Sequence, residues 1–275
     1  MTARGRAYDR SKALGRKRPS QTHAGGAAQP NLCVSSGLGL SGLAKPGPGE
    51  WNLGLYMNVS GEPVLNEERQ PIFNAPWPSV VATLVIIVGY LVQTFFPQDW
   101  VLRNFAFSSA ALDAGRWPTL FTAIFLHGSW AHALMNAGGA LAFGTPVARY
   151  FGASFKGALV FLVFYLVCGG LASLGYGMAN PGSTVFMVGA SGAVAGLVGA
   201  AARLMAGEGV PGRYMSPIVV SMSIGWIAVN LLLALAGFAP GLGNAGVAWE
   251  AHIFGYIAGL VLIGPFGWAS RSPAA

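Results

Sequence analysis

Apolar residues run along this chain in six long blocks, separated by short polar or glycine-rich turns. The blocks fall at about residues 79–96, 119–144, 156–176, 184–206, 217–237 and 247–268. Each is near the roughly 20 residues that a helix needs to cross bilayer hydrocarbon. Backbone groups in lipid must find their hydrogen bonds internally, so helices are the expected form. The pattern predicts an all-α membrane protein, a six-transmembrane-helix bundle occupying residues 76–270. Residues 1–75 read as a disordered, basic, Gly/Pro-rich tail, and 271–275 as a short C-terminal tail. The fourth block is the least hydrophobic and is rich in Gly and Ala. Small residues let helices approach closely. Gly192, Gly196 and Gly199 in block four, with Gly255 and Gly259 in block six, therefore predict that these two helices pack together.

Composition agrees with the pattern. The 275 residues are 53% hydrophobic and only 9% charged, far below the roughly 25% charged residues of a soluble domain. The net charge of +7 is uneven: residues 1–56 hold eight Lys/Arg against two acids. The high pI thus describes the tail; a basic tail can touch anionic lipid or nucleic acid, but its composition reads as a solvated disordered segment, and no nucleic acid is expected as a partner. Cys33 and Cys168 lie in contrasting surroundings, which argues against a disulfide framework. Met57 opens a short polar lead into the first block, so residues 1–56 are a candidate upstream extension of the reading frame. Peptides from 1–56 in the native protein would exclude that.

Short-loop Lys/Arg set the expected orientation. Arg69, Arg149, Lys156, Arg203, Arg213 and Arg271 fall on one side, and Arg103 and Arg116 on the other. Both termini are then expected in the cytoplasm. A bacterial cytoplasmic membrane is the default expectation and an organelle membrane the alternative.

Polar and ionisable groups inside such blocks are costly and are functional candidates. Ser191, in Gly189-Ala190-Ser191-Gly192, has small neighbours that leave room for a substrate backbone; plain helix packing explains the same cluster. His252 offers an imidazole able to take and return a proton near neutral pH, or it is a ligand or a packing group. His132 and Asn136 are spaced i, i+4 and share a helix face. Two donors aimed at one point would stabilise an oxyanion, and interhelical polar contacts are the alternative. His127, five residues before His132, should point elsewhere around a helix and is assigned a structural role. Glu250 is expected at the water boundary, and Asn230 as interhelical glue. No acid completes a triad, no H-E-x-x-H offers a zinc site, and no metal or cofactor is expected.

Together these residues resemble the rhomboid family of intramembrane serine proteases. The resemblance rests on His127, His132-x-x-x-Asn136, Gly189-Ala190-Ser191-Gly192 and Ala251-His252-x-x-Gly255, in that order and in blocks two, four and six. It covers about residues 70–270 and implies a rhomboid-like six-helix bundle. Ser191 would be the nucleophile and His252 the general base. His132, Asn136 and the Ser191 amide would form the oxyanion hole, and His127 would brace the first loop. Gly189, Gly192 and Gly255 would shape the site. Transmembrane proteins would be the substrates and the lipid bilayer the surroundings; oligomeric state is left open. Two positions depart from the pattern. Some members carry an aromatic residue four after the serine, packed on the catalytic histidine, where this chain has Ala195. The first loop often carries Trp-Arg, where Trp117 here precedes Pro118. The rival readings are a non-catalytic member that binds transmembrane helices and a small transporter or channel.

Overall fold

The computed structural model describes residues 74–236 and 248–270, together with the backbone of two short strands. The strands, β1 (Leu55–Met57) and β2 (Pro63–Leu65), pair antiparallel with Tyr56 opposite Val64. They belong to a unit, Met1–Glu68, separate from the helical unit Arg69–Ala275. The expectations for the rest of the 1–75 tail, for the 271–275 tail and for Cys33 lie outside the described residues.

Among the described residues the second unit is helical. Its elements are α1 (Trp77–Gln93), α2 (Gln98–Phe105), α3 (Ser109–Asp113) and α4 (Thr119–Thr122), followed by a 3₁₀ turn over Ala123–Phe125. Then come α5 (Trp130–Phe151), α6 (Phe155–Ala179), α7 (Ser191–Ala206), α8 (Pro217–Ala236) and α9 (Trp249–Ser270). Three of these are long and apolar enough to cross a membrane: α6, α8 over Pro217–Leu235, and α9. The apolar helices α1 and α7 are shorter, at 17 and 16 residues. Sixteen residues rise only about 24 Å, less than the roughly 30 Å of a hydrocarbon core.

Two predicted boundaries are corrected. The second block was expected to be one helix over 119–144, but its long helix runs from Trp130 to Phe151. The hydroxyl of Ser129 accepts from the amide of His132 at 3.1 Å and caps that helix, as short polar side chains do at N-termini. The fourth block was expected from residue 184, but α7 starts only at Ser191. The chain before it pairs with the first loop instead. Phe107 and Met187 exchange both backbone hydrogen bonds, at 3.1 and 2.8 Å, and Gly189 N–H donates to Ala123 at 2.9 Å. Hydropathy sees an apolar run in both places and misses the cap and the pairing that divide it.

The helix α7 is the centre of the unit, with every residue from Gly192 to Leu204 buried. It lies backbone to backbone on α9. A Cβ on Gly255 would fall on the carbonyl of Gly192, one on Gly259 on the carbonyl of Gly196, and one on Gly199 on the carbonyl of Tyr256. The expected packing of blocks four and six is what the structure has. At its far end α7 is tied down by Arg203. Its guanidinium donates to the carbonyls of Gly212 (2.8 Å) and Leu260 (3.1 Å) and lies 3.9 Å over the Tyr214 ring. The outer helix α8 is the least enclosed of the three long apolar helices, with 11% of its apolar stretch buried against 50% for α6 and 33% for α9.

Candidate active site

The start of α7 determines the site. Its N-cap is Ala190, whose methyl group cannot accept from the first amides, and the first helical bond is Val194 N–H to Ala190 C=O. The amides of the opening turn, Ser191 included, therefore have no helical acceptor. They point toward the end where the segment 183–189 delivers the chain. Ser191 is the first helical residue and half-buried, and among the described residues its hydroxyl makes no hydrogen bond. Uncapped amides beside a free hydroxyl suit a developing negative charge.

Gly189 makes this geometry possible. Its φ is +124°, a region that side chains avoid. A Cβ there would lie 2.7 Å from Cε1 and Nε2 of His132 and 3.6 Å from Nδ2 of Asn136. The backbone entering α7 thus runs against both polar side chains of α5. Asn136 is buried, and among the described residues neither its Nδ2 nor the buried Nδ1 of His132 has a hydrogen-bond partner. Buried polar atoms without partners are rare. Of the five among the described residues, two belong to the residues that share a face of α5 near Ser191, and a third is Nδ1 of the neighbouring His127.

His127 is corrected in one respect. It does not point away from His132, because residues 126–129 are not helical and helical spacing does not apply. The two rings pack edge to face with centroids 5.1 Å apart. His127 is 1% exposed, and its Nε2 accepts from the amide of Ala190 at 3.5 Å, just before Ser191. Its backbone is clamped by Gln93 of α1, which donates from Nε2 to the His127 carbonyl at 2.8 Å and accepts its amide at 2.9 Å. Gln93 was not singled out from the sequence, since a lone glutamine at a helix end carries no periodic signal.

On the opposite wall, α9 brings His252 in its first turn. Ser191, His252, His132, Asn136, Gly189 and Gly192 all line one cavity of about 390 Å³. Among the described residues no hydrogen bond joins Ser191 to His252. Glu250 lines the same cavity and accepts from Nδ2 of Asn180 at 3.3 Å. Asn230, expected as interhelical glue, bonds across from α8 to α9, and its partner there is the imidazole: its Oδ1 lies 2.6 Å from Nδ1 of His252. Ala195 carries no ring, and the ring near His252 is Trp226 of α8, with centroids 6.3 Å apart. In the first loop Arg116 does the anchoring, donating to the carbonyls of Arg103 (2.7 Å) and Asn104 (2.6 Å) at the end of α2. Trp117 stays 63% exposed. Among the described residues no His/Cys/Asp/Glu group could hold a metal ion.

Apolar helices long enough to cross a bilayer, with serine, histidine and amide groups lining one cavity, make this an integral membrane protein. The pattern of the Rhomboid domain family matches residues 114–268, more than half of the chain, and the chain belongs to the rhomboid family. It is also similar to RHOMBOID-like protein 12, mitochondrial, of Arabidopsis thaliana, with 36% identity over 96 residues. That stretch is 32% of this chain and spans 29% of the plant protein's length. Rhomboid proteins are intramembrane proteases, with inactive members among them.

Proposed function

We propose that this protein is an intramembrane serine endopeptidase that cleaves transmembrane segments through a dyad of Ser191 and His252. One observation carries the reading. The hydroxyl, the imidazole and the two polar side chains of α5, His132 and Asn136, line a single cavity at the uncapped start of α7. In this reading His252 takes the Ser191 proton as Oγ attacks the scissile carbonyl. Asn136, His132 and the Ser191 amide hold the oxyanion. The imidazolium returns its proton to the leaving amine, and water then releases the acyl group. An intact helix hides its carbonyls, so a substrate must unwind locally. Small residues at the cleavage point and helix breakers nearby favour this.

All six apolar helices are proposed to cross or enter the bilayer, with the loops bearing Arg149, Lys156 and Arg213 on the cytoplasmic face together with both termini. The expectation of a bacterial membrane gains no support, since the similar plant protein is named mitochondrial.

The test is labelling by a fluorophosphonate probe with the modified residue mapped by mass spectrometry. Adduct at Ser191 that disappears in His252→Ala is the expected result. A folded protein that takes no label would move the reading to a non-catalytic helix binder. A second outcome is expected at the turn. Gly189→Ala should lower kcat/KM on a single-span substrate by roughly 10²-fold, as expected when an oxyanion donor is displaced. The strained backbone costs only about 1–3 kcal/mol of stability. Cleavage rate and thermal melting, measured on the same sample, separate the two effects.

A further inference from the structure

His252 is held from a helix that the dyad does not include. Asn230 is 2% exposed in the outer helix α8, and its Oδ1 lies 2.6 Å from Nδ1 of His252. The amide's orientation follows from its other contact. Nδ2 of Asn230 lies 2.8 Å from the carbonyl of Trp226, which can only accept, so Nδ2 must be the atom that faces it. Oδ1 is then turned to the imidazole and can only accept. Nδ1 of a neutral His252 therefore carries the proton, and Nε2 carries the lone pair. That is the tautomer a base needs if Nδ1 is occupied elsewhere.

Two more groups of α8 join the same seam. Trp226 donates from Nε1 to the His252 carbonyl at 3.3 Å and stacks on Tyr256, with centroids 5.9 Å apart. Ser223 lies 2.9 Å from the Tyr256 hydroxyl. Ser223, Trp226 and Asn230 are spaced i, i+3 and i+7, so they form one stripe of α8. The stripe lies on His252 and Tyr256, themselves one turn apart on α9. Most of α8 is otherwise exposed.

We propose that Asn230 is a positioning residue for the base: it fixes the tautomer and the ring plane of His252, and the Trp226 ring packs beside the imidazole, where Ala195 offers none. This rests on the dyad reading above. It makes the outer helix α8 part of the catalytic apparatus, so that displacing α8 disarms the base.

The experiment compares wild type, Asn230→Leu and Asn230→Asp in liposomes with a single-span substrate, with thermal melting on each sample. Correct proton transfer contributes roughly 10²- to 10⁴-fold to such a reaction. Losing the orienting acceptor should therefore cut kcat on the order of 10- to 100-fold in Asn230→Leu, with KM unchanged. Asn230→Asp keeps an acceptor facing Nδ1 and should recover most of that loss. An Asn230→Leu protein with wild-type kcat overturns the inference and leaves the dyad intact. So does a folded pair in which Asp is as slow as Leu, or in which only KM rises. If wild type itself neither cleaves nor takes the fluorophosphonate, the dyad reading fails and this inference falls with it.

Discussion

Ser191→Ala should reduce cleavage of a single-span substrate in liposomes to background, a fall of about 10⁴- to 10⁶-fold in kcat, as for the loss of the nucleophile from a serine hydrolase. The change removes one oxygen. Ser191 is half-buried at the first position of α7, and among the described residues its hydroxyl holds nothing else in place. Alanine is also the best helix former, so thermal melting should not move. Loss of activity without loss of stability is what distinguishes a reacting group from a packing group. His252→Ala should fall by a similar factor, because serine is a weak nucleophile without a base. That variant also strands the Oδ1 of Asn230, so a modest drop in melting temperature is expected there and not in Ser191→Ala. If Ser191→Ala cuts at the wild-type rate, the serine is not the nucleophile and the proposed mechanism is wrong.

Gly259→Val should cost the bundle about 3 kcal/mol or more, the upper range for overpacking a well-filled interior. A Cβ at Gly259 falls on the Gly196 backbone rather than on a side chain that could rotate away. The only relief is to part α7 from α9. Those helices carry Ser191 and His252 in their first turns, so activity should vanish along with stability. Gly264→Val is the control on the same helix, since nothing lies within 4 Å of its would-be Cβ. It should change stability by no more than about 0.5 kcal/mol, as surface substitutions usually do. The measurement is the thermal midpoint of the three proteins in one detergent. Equal melting of Gly259→Val and wild type would show that the close approach of α7 and α9 is not what holds the bundle together.

Much of this architecture is legible along the chain. Six apolar blocks announce a helical membrane unit, and a helix lies in each. The i, i+4 spacing of His132 and Asn136 puts them on one face of α5, and the glycines of blocks four and six foretell the contact of α7 with α9. These are local properties, set by hydropathy and helical period, and they survive without knowledge of the neighbours. What failed was also local in form but decided from a distance. Block four was expected to be helical from residue 184, yet Phe107 takes the backbone bonds of Met187 and delays the helix to Ser191. His127 was expected to face away from His132, but the Gln93 clamp holds it in non-helical chain, ring against ring. Asn230 is the interhelical contact that was expected, but its partner is not legible in the chain. A lone amide in an apolar span is costly, and the sequence shows that it needs a partner. It cannot show which one, because Asn230 and His252 are 22 residues apart and meet only when α8 lies along α9. Local pattern along the chain is enough to set the helices, their apolar faces and the identities of the polar groups. Where α7 begins, which polar atoms are left without partners beside it and which amide meets the imidazole follow from the packing of the helices. Those depend on hydrogen bonds between segments remote in the chain, and no periodicity within one segment encodes its partner.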